Sequence, residues 1–345
     1  MSVAVARWDA GARAGLVGRV AGLLAAAAAL ALAALLSLAV GSRSIPLREV
    51  VDAVFAGGDS QNASVVLDLR VPRTLLGAVV GVGLGLAGAL MQALTRNPLA
   101  DPGLLGVNAG AAAAVVTAIG LLGITSPTGF VWFAFAGAAV ASVVVYVIGS
   151  LGRGGSTPVR LALAGMALTA ALVAYVYAVA LTDPLLLQRY NLWAVGTLAD
   201  RGMEMVRLAA PFVAAGALMA FGLARALNAL ALGEDAARAL GAHAGRTRVV
   251  AAAAVTLLCG AATAAAGPIS FVGLTVPHVA RAISGPDQRW VMAYSVVLAP
   301  TLLLLADVLG RVAARPGEVQ VGIVLAFVGV PVFIALVRRR RVASL

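Results

Sequence analysis

Lysine is absent from the 345 residues, and all 25 basic side chains are arginine. A phosphate-binding loop of the Walker type needs a lysine on the terminal phosphates, so this chain carries no such site. One cysteine, Cys259, excludes an internal disulfide, and its place in an apolar run makes it a packing residue. The two histidines, His243 and His278, lie far from any second ligand type at metal spacing, so no metal site is expected. No nucleophile stands near a base, so no catalytic residue is expected either. Charge is scarce overall: 11% of residues, against roughly 25% in soluble domains, while 62% are hydrophobic. That balance describes an integral membrane protein.

Apolar runs of about 20 residues, each long enough to cross a hydrocarbon core, recur at roughly 21–40, 74–94, 104–123, 129–149, 159–181, 208–227, 249–266, 291–312 and 319–337. A shorter tenth run covers 269–283. The first resembles a signal peptide in having Arg7, Arg13 and Arg19 before it, but its length favours a retained span. The expected fold is therefore all-α: one membrane domain of ten transmembrane helices over 21–337, a tail at 1–20 and a basic tail at 338–345. Ten spans put both termini on one side. Alternate connections on that side, with the tails, hold 16 arginines against 5 acids, while the other set holds 9 against 9. The positive-inside rule makes the first side cytoplasmic, in a plasma or inner membrane with lipid all round. Arg338 to Arg341 are read as a topology anchor, and no nucleic-acid partner is implied.

Pro98-Leu99 followed by Gly103-Leu104 recurs as Pro268-Ile269 followed by Gly273-Leu274 at identical spacing, once at each expected face. An inverted repeat of spans 2–5 and 7–10 would leave that echo. Gly77, Gly81 and Gly85 recur every fourth residue, the pattern that lets two membrane helices approach closely, which makes the second span a central one. Gly83 to Gly88 spells Gly-x-Gly-x-x-Gly, but with no strand before it and no acid after it, packing explains it better than a dinucleotide.

Two segments stand out from the apolar background. From Gly267 to Arg281 two prolines interrupt an apolar stretch, and irregular backbone at membrane depth must be packed on protein or line a cavity. Gly273, Pro277 and His278 are thus pathway or hinge candidates, with Pro277 a structural bend and His278 a packing or hinge residue. From Leu230 to Gly241 the chain reads as a short helix: Glu234 and Asp235 suit its first turn, Arg238 follows Glu234 at i+4, and Gly241 suits its stop. A loop staple and a rigid lever are both open to it.

The chain is similar to the FecCD-type permeases, membrane subunits of ABC importers for ferric siderophores, haem and cobalamin. The resemblance runs from about residue 42 onward and rests on the joint order of its motifs. They are Arg70-Val71-Pro72-Arg73; Gly88-Ala89-Leu90-Met91-Gln92; Asn97 to Pro102; Leu232-Gly233, Ala236-Ala237 and Leu240-Gly241; Gly267 to Gly273 with Pro277-His278 and Arg281; Ala306-Asp307; and 318–333. The family implies a pathway shared with a second permease, homologous or identical, two cytoplasmic ABC ATPases holding ATP and magnesium, and an external substrate-binding protein. This chain would bind no cofactor and would be a transport subunit, not an enzyme. The resemblance makes Leu232, Gly233, Glu234, Asp235, Ala236, Ala237, Arg238, Leu240 and Gly241 the ATPase-coupling helix. It makes Arg70, Arg73 and Arg311 docking residues for acidic groups of the binding protein, and sets Trp193 and Gly196 near the pathway mouth. The competing expectations are that Arg70 and Arg73 pair with Asp68 or anchor the interface, and that Arg311 pairs with Asp307.

The chain departs from the family where Gln320 stands for a proline and Leu325 for a threonine, and around Trp193, where Thr197 replaces a serine. Ferric siderophore is the family's most common cargo; haem and cobalamin remain alternatives. An ion-coupled secondary transporter would need titratable groups in several spans, and Asp307 is essentially alone.

Overall fold

The computed structural model describes residues 2–41, 44–57, 60–151, 158–241 and 243–338, and every regular element among them is helical. In chain order these are α1 (Ser2–Ala39), α2 (Leu47–Ala56), α3 (Gln61–Ser64), α4 (Val71–Thr95), α5 (Val107–Gly120), α6 (Pro127–Ser150) and α7 (Pro158–Ala180). There follow α8 (Pro184–Ala194), α9 (Gly202–Ala231), α10 (Glu234–Ala239), α11 (Ala244–Ala266), α12 (Val272–Ser284), α13 (Gln288–Ala313) and α14 (Val321–Arg338). Arg339 to Arg341, and with them most of the expected basic tail, lie outside the described residues.

Seven helices are long and apolar enough to cross a membrane: α1, α3 to α4 as one unit, α6, α7, α9, α11 and α13. The remaining three expected spans are the short helices α5, α12 and α14. The 14 residues of α5 reach only about 21 Å, less than the roughly 30 Å hydrocarbon core. Backbone breaks account for the shortening. Gly106, at φ 72°, and Phe271, at φ 69°, stop helix from extending upstream into α5 and α12. Conversely, the second span is longer than its apolar run. Val65–Arg70 is a π-helical turn, with the Val71 amide reaching back to the Val66 carbonyl, and it passes directly into α4 with Pro72 at its start. Of the stretch 1–20 expected as a tail, residues 2–20 are likewise part of α1.

The middle of the bundle is α4. Its glycines let neighbours approach on three sides, which matters because lipid offers no hydrophobic drive for helices to associate. Gly77, Gly81 and Gly85 face α13, where a Cβ on Gly81 would lie 2.5 Å from the Pro300 Cα and one on Gly85 2.6 Å from the Ala299 Cβ. Gly83 meets the Leu258 carbonyl of α11, and Gly88 meets the Gly273 carbonyl at the start of α12.

The two halves, α4–α7 and α11–α14, hold one another reciprocally. Gln92 of α4 donates to the Leu274 carbonyl at the head of α12 (3.0 Å), and Thr263 of α11 donates to the Asn108 side chain at the head of α5 (2.9 Å). In the last helix of each half a glycine receives the irregular segment: Gly165 against the Leu104 carbonyl and Gly329 against the Phe271 ring. A two-fold axis between α4 and α11 would produce this pattern, as the echoed motifs led one to expect.

Candidate functional site

At one end of the bundle, arginines gather where α1 stops. A helix leaves its last carbonyls unpaired. Arg311 donates to the Ser37 and Val40 carbonyls (2.9 Å each) and Arg70 to the Leu38 carbonyl (2.6 Å), so guanidinium groups cap α1 and meet the negative end of its dipole. Asp307 of α13, 1% exposed, offsets part of the cluster's charge from below. Arg73 grips it with Nε at 3.1 and 3.0 Å and Nη2 at 2.7 Å, and Arg311 lies 3.1 Å from its other oxygen. Arg73 also reaches Glu318, just before α14, at 2.8 Å. Ser37 ties Arg311 to Thr74 through its hydroxyl (2.9 and 2.8 Å).

The structure thus brings Arg70, Arg73 and Arg311 together, but it turns their guanidinium groups inward. They line the floor of a depression of about 320 Å³ that Asp68, Asp200, Arg201 and Glu318 also border. Arg201 presents a buried Nε without a hydrogen-bond partner among the described residues; burial pushes its pKa down, and Asp200 opposes that. The i+4 pair of Arg311 with Asp307 was visible in the sequence. The partners Ser37 and Glu318 were not, since no periodicity links residues so far apart.

Beside this pocket, the turn that follows α8 is stitched to the ends of two other helices. The Thr197 amide donates to the Ala266 carbonyl (2.8 Å), and the Gly322 amide to the Gly196 carbonyl (3.2 Å). Gly196 adopts φ 77°, and a Cβ there would stand 2.6 Å from the Pro268 carbonyl. Trp193 is buried below it, its indole N–H without a hydrogen-bond partner among the described residues. The pathway and hinge candidates therefore fall in two places: Trp193 and Gly196 here, and Gly273, Pro277 and His278 on α12.

On α12, Pro277 withholds the amide that would bond the Gly273 carbonyl, and that carbonyl packs on Gly88. Buried Arg281 donates from both terminal nitrogens to Oε1 of Gln92 (3.2 Å each), whose Nε2 holds the Leu274 carbonyl. His278, the neighbouring candidate, is partly exposed and stands outside this joint. Gln92 was noted in the sequence only as part of a motif; its polarity in an otherwise apolar helix was the available signal.

At the opposite end lies α10. Gly233, at φ 114°, and Gly241, at φ 78°, make the turns on either side of it, backbone that a side chain would strain. One side chain, Ala237, is fully buried, against Leu230 and Ala244, while Leu232 and Leu240 are 71% and 66% exposed. Glu234 pairs closely with Arg248 on α11 and at 3.7 Å with Arg238, and Asp235 lies 3.9 Å from Arg238. The hydrogen bond and charge of Arg248 hold the Glu234 carboxyl below the ordinary carboxylate range, with Arg238 and Arg96 adding to the effect. Arg96, left-handed at the end of α4, donates to the Leu230 carbonyl at the root of α10. The Arg96 bond thus ties the end of α4 to the last turn of α9, which leads into α10. Among the described residues no group of three metal-ligating side chains forms.

These features match known proteins closely. The profile of the FecCD transport family matches residues 29–339. The ferric enterobactin transport system permease protein FepD of Escherichia coli (strain K12) is 48% identical over 312 residues, covering 90% of this chain and 93% of that protein. The iron(3+)-hydroxamate import system permease protein FhuB of Bacillus subtilis (strain 168) is 39% identical over 320 residues, covering 92% and 83%. A solved inward-facing structure of a metal-chelate type ABC transporter superposes with a TM-score of 0.81 at 25% identity, over 92% of this chain and 98% of that one. The chain belongs to the FecCD transport family, as a multi-pass, all-helical membrane permease.

Proposed function

We propose that this chain is the membrane subunit of an ATP-driven importer of ferric siderophores. The observation that carries the reading is the near full-length similarity to a ferric enterobactin permease. In this reading the chain forms half of a pathway with a second permease. Two ATPases, holding ATP and magnesium, act on it from the cytoplasm, and a binding protein delivers cargo from outside. Both termini are cytoplasmic, as the arginine imbalance supports.

The segment 230–241 transmits ATPase closure. Its exposed Leu232 and Leu240 are free to enter a partner, and the Arg96 bond to Leu230 supports transfer of its motion to α4. The binding protein settles over the arginine-lined depression, where acidic side chains would meet the outer edges of Arg70, Arg73 and Arg311. Radio-iron uptake tests the cargo. Deletion of the gene should abolish uptake of a labelled ferric siderophore under iron limitation, and the chain supplied in trans should restore it. Unchanged siderophore uptake with lost haem or cobalamin uptake would move the chain to another cargo of the same family.

A further inference from the structure

Arg225 near the end of α9 and Arg289 in the first turn of α13 are exposed, and neither forms an ion pair among the described residues. Asp287, which caps α13, is turned to the helix ends: Oδ1 accepts from the Arg289 amide (3.0 Å) and from Asn228 Nδ2 of α9 (2.7 Å). Asn228 in turn accepts the Gln288 amide (2.9 Å), so the ends of α9 and α13 are clamped side by side. Above the clamp runs a groove of about 760 Å³ bordered by Phe221, Gly222, Arg225, Arg289, Trp290 and Ala293. Its walls are apolar on the side of the helix bodies, and two guanidinium groups without an ion-pair partner among the described residues stand at its mouth, beside a tryptophan.

We infer that this groove binds an anionic phospholipid, the headgroup phosphate between Arg225 and Arg289 and an acyl chain along Phe221, Gly222 and Ala293. Basic pockets between spans on the cytoplasmic side, at headgroup level, attract acidic lipids, and interfacial tryptophan marks that level. Guanidinium pairs phosphate through a two-pronged hydrogen-bond fork, which favours an anionic headgroup over a zwitterionic one, whose own ammonium competes for the phosphate. The inference rests on the orientation proposed above, because it puts the groove in the leaflet face that carries the arginine excess.

The test reads lipid retention on the purified full-length chain in detergent by native mass spectrometry, so a failure here leaves the transport reading untouched. The wild-type chain should retain phosphatidylglycerol in preference to phosphatidylcholine. The double variant Arg225→Gln, Arg289→Gln should weaken retention on the order of thirty-fold, at about five- to sixfold per arginine. Arg246→Gln, which removes an exposed charge on α11, should have little effect. A second variant approaches the apolar part: a Cβ on Gly222 meets open space, so Gly222→Leu fills the groove without a clash and should expel the lipid with both arginines intact. Equal loss in Arg246→Gln, retention unaffected by the double variant or by Gly222→Leu, or displacement by millimolar inorganic phosphate would each overturn the inference.

Discussion

Where α1 stops, three arginines and two carboxylates close on one another and on helix-end carbonyls, whereas around α10 the charges lie at the surface and two leucines stand out uncovered. The first arrangement ties α1, α4, α13 and the approach to α14 into one geometry, because Arg73 binds both Asp307 and Glu318 while Arg311 binds Asp307 and the end of α1. The second is held to the bundle by one buried alanine and one ion pair to α11, while the Arg96 bond fixes the end of α9 that leads into it. A buried charge network is costly to break, while a sparsely anchored helix can follow a partner. The contrast suits a subunit that is driven from one end.

The contrast can be broken most severely at Asp307. Asp307→Ala leaves Arg73 and Arg311 buried opposite one another without their shared carboxylate, and should cost about 3–5 kcal/mol, read as a large fall in the thermal unfolding midpoint in detergent. Next comes the joint between α4 and α12. Gly88→Ala drives a methyl group into the Gly273 carbonyl, which is backbone and cannot turn aside, and should cost about 1–3 kcal/mol in the same assay. At Gly233 the left-handed turn meets no neighbouring atoms, so Gly233→Ala should cost only about 1–2 kcal/mol of local backbone strain and loosen α10 alone, visible as faster hydrogen exchange there.

The smallest stability effect is expected at Glu234. Glu234→Gln should leave the unfolding midpoint nearly unchanged while uncoupling ATP hydrolysis from uptake, a split between two assays that a purely structural residue would not give. Its titration sharpens the point. Because the folded carboxyl is held below its ordinary value of 4.5, its contribution is fully present above that value. Exchange protection of α10 should therefore persist from neutral pH down to the ordinary carboxylate range and fall only below it.

Local signals carried the sequence reading a long way. The proline-interrupted segment became α12, with Phe271 and Gly267 at its upstream break, and acids at 234 and 235 with glycine at 241 bounded α10. These features depend on neighbours in the chain, which composition and spacing report. The closing of Arg73 on Asp307 and Glu318, 234 and 245 residues away, depends instead on how α4, α13 and the approach to α14 meet. Likewise, Arg281 and Gln92 are 189 residues apart, and only the packing of α12 on α4 makes them partners. The reach of α4 upstream of its apolar run was hidden by Asp68 and Arg70, which a helix tolerates near a membrane surface.

The central claim is that this permease imports a ferric siderophore and is driven through 230–241. Its most direct test measures ATP hydrolysis and radio-iron siderophore uptake together in proteoliposomes containing the complete importer, with the wild-type chain and with Gly241→Pro. The account predicts ATP-dependent uptake by the wild type and, in the variant, hydrolysis that continues while uptake is lost. Uptake by the variant at the wild-type rate, or wild-type uptake that needs no ATP, would contradict it.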